Sequence, residues 1–171
     1  RIPYLETDAP NPLSVYGASK LQGERNIQDV MDTYFIVRTS WLYSEYGNNF
    51  IKTMLRLSET RDEISVVSDQ IGSPTCAGDL AEVLIKIVLS SSISYGIYHY
   101  SNGGIVSWYD FAVEIFKQLG KTIEVKPIKT KDYPTAAKRP KYSVLDTTKI
   151  KNNFDCTIKD WQESLNKVIH I

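Results

Sequence analysis

A chain of 171 residues with 42% hydrophobic side chains is long enough for one domain with a real core and too apolar to stay disordered. Its 20 basic and 20 acidic side chains cancel, which removes the net field that drives proteins onto nucleic acid or anionic membranes. No run of about 18 apolar residues is present to span a bilayer, and Cys76 and Cys156 lack the CxxC spacing of a zinc site or the density of a disulfide scaffold. A cytoplasmic protein with no nucleic-acid or membrane partner is therefore expected.

The chain opens on "RIPYLETDAPNP", a polar, turn-forming stretch with no signal-peptide core, and the expectation is a start inside a larger fold. Pro12 can begin a helix, and Val15, Leu21, Ile27, Val30 and Met31 are spaced as an apolar stripe, which predicts a helix over about 13–33. "YFIVRTSWLY" then reads as a strand buried on both faces, as in a parallel sheet. "NNFIKTMLRLSET" supplies a second helix, "ISVVSD" a short strand, "GDLAEVLIKIVLSS" an apolar helix and "YGIYHYS" another strand. Ser107 can cap "WYDFAVEIFKQL", with Gly120 at its stop position. "TIEVKPIK" reads as an edge strand because Pro127 has no N–H to donate. Thr157 with Asp160 resembles a capping arrangement for a last helix, "IKDWQESLNKVI". Alternating helices and strands define an α/β class.

Inside the first helix Tyr16 and Lys20 are separated by three residues. The Tyr and Lys content of the chain makes roughly one such pair expected by chance, so spacing alone decides nothing. On a helix the two lie one turn apart on one face, and an ammonium beside a phenol favours the phenolate, which suits a phenol for giving its proton to a carbonyl oxygen.

The surrounding phrases decide more. "YGASKLQGE" after "ETDAPNP" resembles the extended short-chain dehydrogenase/reductase family. "RTSWLY", "GNNFIKTMLRL", "DQIGSPT", "SWYDFA" and "YPTAAKRPKYSVLD" are similar, in that order, to its dTDP-4-dehydrorhamnose reductase branch. The resemblance runs from about Tyr4 to Trp161. It implies the remainder of a Rossmann-type NAD(P)-binding parallel sheet in residues 1–60, carrying the Tyr–Lys helix, and a smaller α/β substrate-binding subdomain in 61–171. It also implies that NADPH or NADH delivers hydride to the C4 ketone of a dTDP-linked 4-keto-6-deoxyhexose, giving dTDP-L-rhamnose. Tyr16 would supply the proton, and Lys20 would hold the nicotinamide ribose and tune Tyr16.

None of the 9 glycines forms GxGxxG, so the pyrophosphate turn of such a fold is expected outside this chain, and the isolated chain is expected neither to turn over nor to bind cofactor measurably. Thr39 and Ser40 would face the nicotinamide, and Trp41 the sugar. Gln70 and Thr75 in "DQIGSPT" and Arg139 in "KRP" complete the substrate candidates, with Arg139 able to grip a diphosphate through its guanidinium fork. Residues 117–151 hold nine Lys and Arg139 against Glu124, Asp132 and Asp146, most of them expected as solvated charge. His99 is expected to pack rather than react. No metal site is expected, since Gly78 and Asp79 stand where some relatives carry a carboxylate serving a magnesium-linked dimer; a homodimer stays open. The alternatives are a regulatory dinucleotide-binding subunit resembling the methionine adenosyltransferase beta subunit, or a sister sugar-nucleotide epimerase or dehydratase.

Overall fold

The computed structural model describes residues 2–135 and 137–170. Helix α1 runs Val15–Val30, and its start is set by Ser14, whose hydroxyl accepts from the Gly17 N–H at 3.1 Å. That cap places the helix two residues later than Pro12 implies. The apolar stripe expected on it meets no core of this chain: α1 buries no residue, and Val15 and Val30 are 88% and 80% exposed.

The apolar run after α1 is not one strand. Strand β1 (Phe35–Arg38) is half-buried rather than buried on both faces, the backbone turns at Trp41, and β2 (Leu42–Tyr43) follows. Helix α2 (Phe50–Ser58) begins where Asn49 accepts from the Lys52 N–H at 3.2 Å. Strands β3 (Glu63–Val67), β4 (Ile71–Gly72) and β5 (Thr75–Cys76) lead into helix α3 (Ala77–Leu89), and β6 (Gly96–His99) and β7 (Val106–Ser107) come next. Helix α4 (Trp108–Gln118) carries a full capping box, Ser107 and Asp110 each bonding the other's backbone N–H, and it stops at Gly120, whose φ of +63° a side chain would resist. Strand β8 (Glu124–Ile128) pairs only with β3 among the described residues, which leaves Pro127 on an edge.

Two further details differ from the sequence reading. Helix α5 (Thr148–Phe154) was not foreseen in "TTKIKNNF", which has little apolar period; Asp155 ends it in the left-handed region at φ 48°. Helix α6 (Trp161–Ile169) is capped by Asp160 itself, which accepts from the Gln162 N–H at 2.7 Å, so Thr157 has no part in that cap.

Pairing is mainly parallel: β1 with β6, β2 with β5 and β3 with β8, while β4 and β7 are antiparallel. Two apolar cores support these pairs. The larger joins α2, α4 and α6 over β3, centred on Phe111, Ile115 and Leu165. The smaller joins α3 and α5 to β1 and β6 through Val83, Tyr98 and Ile150. Each fully buried side chain of this size contributes about 1.5–3 kcal/mol. The boundary expected at residue 60 lies in the turn between α2 and β3, and both cores draw on residues before and after it. No helix among the described residues is long and apolar enough to cross a membrane.

A polar knot ties these layers together. The Asp79 carboxylate, 5% exposed at the start of α3, accepts from Lys159 Nζ and from Asn102 Nδ2, each at 2.8 Å, and from the Ser164 hydroxyl on α6. Asn102 in turn accepts from the Cys76 N–H at 2.7 Å, fixing the end of β5. Burial pushes the Asp79 pKa up, but the hydrogen bonds from Lys159, Ser164 and Asn102 outweigh it, and the group sits below the ordinary carboxylate value.

Candidate functional site

Two neighbouring clefts flank the turn at residues 39–41. The larger, about 890 Å³, lies between α1 and the carboxyl ends of β1 and β6, and Tyr16, Lys20, Arg38, Thr39, Ser40 and His99 line it. The smaller, about 380 Å³, is walled by Trp41, Gln70, Trp108, Tyr133, Thr135 and Arg139 above apolar side chains of α2 and β3. The clefts share two walls. The 39–41 turn puts Thr39 and Ser40 on the larger cleft and Trp41 on the smaller. The segment 133–143 puts Lys138, Pro140, Tyr142 and Ser143 on the larger and Tyr133, Thr135 and Arg139 on the smaller.

Tyr16 and Lys20 share a face of α1, with Lys20 Nζ 5.4 Å from the centre of the Tyr16 ring. Tyr16 is 73% exposed, so its hydroxyl is open to whatever enters the larger cleft. Ser40 Oγ donates to the Ser73 carbonyl at 2.9 Å and Thr39 Oγ1 to Thr75 Oγ1 at 3.2 Å, which fixes both hydroxyls at the cleft wall. Thr75, expected to touch substrate, is fully buried and lines neither cleft. Its hydroxyl braces Thr39, and its N–H donates to the Trp41 carbonyl at 3.1 Å.

Trp41 holds the left-handed conformation at φ 47°, a state that costs a bulky side chain about 1–3 kcal/mol and persists only where the surroundings enforce it. They do so from two directions. Trp108 stacks on the indole at 3.7 Å with planes 10° apart, so one face expected for a sugar is already taken. Gly72 lies so close that a Cβ there would stand 2.5 Å from Trp41 Cε2 and 2.7 Å from Ser143 Oγ. Gly72→Ala is accordingly expected to displace the indole, shift tryptophan emission and destabilise the chain by about 1–3 kcal/mol, as overpacking does. An unchanged emission spectrum and denaturation midpoint would contradict this packing.

Gln70, 6% exposed, reaches the small cleft and donates from Nε2 to Thr130 Oγ1 at 3.1 Å. Asp69 accepts from the Thr130 N–H at 2.8 Å and its hydroxyl at 2.7 Å, bonds that hold the Asp69 carboxyl below its usual pKa. Together they anchor the base of the segment that carries Tyr133 and Arg139. Arg139 is exposed at the rim. The basic region does not form one patch: Lys126 pairs with Glu63, Lys121 donates to Ser58, and Lys149 donates to the Ile97 carbonyl at 2.7 Å while covering the Tyr98 ring.

His99 is 1% exposed, and its Nδ1 lies 3.1 Å from the Tyr4 carbonyl, which can only accept, so Nδ1 carries the proton. Its backbone N–H donates to Glu6 Oε1 at 3.0 Å. Burial holds the imidazole pKa below its usual value, and Nε2 has no partner among the described residues. Trp108 and the Glu24–Arg38 pair were not singled out from sequence. Trp108 stands inside the quoted phrase "SWYDFA", but an aromatic at the start of an amphipathic helix carries no mark separating a cleft wall from core.

A parallel α/β arrangement with a Tyr–Lys helix facing the carboxyl ends of the strands defines the class, a Rossmann-type fold, and open α/β sheets in general gather their ligands at that edge. The chain belongs to the RmlD substrate binding domain family, whose sequence model matches residues 1–171. It is 50% identical to the dTDP-4-dehydrorhamnose reductase of Aggregatibacter actinomycetemcomitans over 96% of this chain and 60% of that protein. Among solved structures, the dTDP-4-dehydrorhamnose reductase of Clostridium acetobutylicum superposes with a TM-score of 0.94 at 45% identity, covering 99% of this chain and 60% of that one. The Bacillus anthracis reductase, solved in complex with NADP, gives 0.91 at 44% identity, covering 98% and 59%. The chain thus spans about 60% of the length of the relatives it matches.

Proposed function

We propose that this chain is the catalytic-helix and substrate-binding part of an NAD(P)H-dependent reductase that converts a dTDP-linked 4-keto-6-deoxyhexose to dTDP-L-rhamnose. The observation that carries this reading is the placement of Tyr16 and Lys20 on one face of α1, opening into a cleft that shares its walls with a second, aromatic cleft. The first cleft fits a nicotinamide: it offers the Lys20 ammonium for a ribose and the fixed Thr39 and Ser40 hydroxyls at a strand end. A bound nicotinamide supplies hydride to the ketone carbon. Tyr16 Oη gives its proton to the ketone oxygen, and the Lys20 charge favours the phenolate left behind. The smaller cleft takes the nucleotide, with Arg139 at its rim placed to meet the diphosphate.

The gene product that contains this chain is expected to oxidise NADPH or NADH only when a dTDP-4-keto-6-deoxyhexose is present, with the rhamnose product identified by mass and NMR. Dinucleotide binding without turnover would replace this reading with that of a regulatory subunit. Turnover of a UDP-sugar with no net oxidation of cofactor would replace it with an epimerase.

A further inference from the structure

Tyr16, Lys20 and Glu24 follow at four-residue intervals, so each is turned about 40° from the last and the three form one slanting strip along α1. The far end of that strip is held. Arg38 Nε donates to Glu24 Oε1 at 2.8 Å and Oε2 at 3.1 Å, and Arg38 Nη2 donates to Glu24 Oε2 at 2.5 Å. The two side chains are only 21% and 16% exposed. Arg38 itself is the last residue of β1, locked opposite His99 of β6 in the parallel register.

No side chain of α1 is fully buried and its Leu21 is only half-buried, so apolar packing within the described residues holds its rotation about its own axis weakly. Besides the fork, Gln28 Nε2 donates to Tyr34 Oη at 3.0 Å, a single exposed bond that allows swivelling. A guanidinium fork on a carboxylate fixes direction as well as distance. The lever is long: a tyrosine hydroxyl roughly 8 Å from the helix axis moves more than about 1 Å for a rotation of about 10°. A displacement of that size at a reacting group costs about a hundredfold in rate.

We propose that Glu24 and Arg38 are a positioning pair that sets the rotation of α1 and thereby aims the Tyr16 hydroxyl and the Lys20 ammonium at the reacting carbonyl. This rests on the reductase reading above. Both residues stand at the wall of the larger cleft, and the role assigned to them is exerted through the helix rather than by contact with the substrate.

The test is steady-state kinetics on the gene product that contains this chain, with Glu24→Gln, Arg38→Met, Arg38→Lys and Tyr16→Phe compared. Glu24→Gln and Arg38→Met are expected to lower kcat by roughly ten- to a hundredfold while KM for sugar nucleotide and cofactor stays within about twofold. Arg38→Lys, which keeps the charge and loses the fork, is expected to recover part of that loss. A merely structural pair would lower the melting temperature and leave kcat per folded molecule unchanged, and that result overturns the proposal, as does a rise in KM at constant kcat. Should Arg38→Met fail to fold, Glu24→Gln decides alone, because it alters one acceptor on an otherwise exposed helix. Normal kcat in Glu24→Gln beside a dead Tyr16→Phe refutes the positioning role only; normal kcat in Tyr16→Phe removes the reductase reading beneath it.

Discussion

Tyr16→Phe is expected to cut turnover by roughly 10²- to 10⁴-fold, the range a positioned proton donor supplies, equivalent to about 3–5 kcal/mol of barrier. The substitution removes one oxygen from a side chain that is 73% exposed and packs in no core, so folding and the denaturation midpoint should not move. KM for the sugar nucleotide should change little, since the proposed reading seats the nucleotide in the second cleft, beyond the Trp41 wall. Lys20→Met should lower the rate as well and also weaken cofactor binding, because the proposed reading gives the ammonium both tasks. The decisive measurement is single-turnover reduction with saturating cofactor. A Tyr16→Phe rate within about threefold of the parent would assign the proton to another donor.

The second large effect concerns stability. Asp79→Asn is expected to destabilise the fold by about 3–5 kcal/mol, the cost of breaking a buried ion pair from one side. The Lys159 ammonium loses its innermost partner, and the new amide nitrogen cannot accept from Asn102 Nδ2, Ser164 or Lys159. In a domain of this length that is roughly a 6–20 °C fall in melting temperature. The sign with pH follows from the depressed carboxyl: the unfolded chain binds the Asp79 proton more readily than the folded one. Its contribution is therefore complete above the unfolded carboxylate pKa of about 4 and is lost as pH drops below it. The variant should show a shallower acid decline than the parent, measured by urea denaturation at several pH values. Parallel acid profiles would show that Asp79 does not carry the dependence.

Much of this molecule is legible before any coordinates. The capping box at Ser107 and Asp110, the glycine stop at 120 and the edge position of Pro127 follow from local chemistry that tertiary context does not override. The Tyr16 and Lys20 face needs only helical period. What escaped is what depends on distant partners. Thr75 reads as a polar turn residue until the fold buries it under Thr39. Helix α5 lacks a marked apolar stripe and forms because Ile150 and Phe154 meet β6 and α3. The turn at Trp41 is invisible in "RTSWLY", since nothing in an apolar run announces a left-handed tryptophan held by a glycine 31 positions away, 72 − 41. Nothing in "CAGDL" marks Asp79 as buried, and only the approach of Lys159 and α6 makes it a hub.

The turn at residues 39–41 and the segment 133–143 each face both clefts, so the two chambers are not separate parts that selection or an engineer can redraw one at a time. Enlarging the smaller cleft by trimming Trp41 would slacken the neighbouring Thr39 and Ser40 hydroxyls on the wall of the larger one. New substrate preferences in such a scaffold should therefore arise first at the outer rim, around Tyr133 and Arg139, where a change can be absorbed without retuning the chemistry next door.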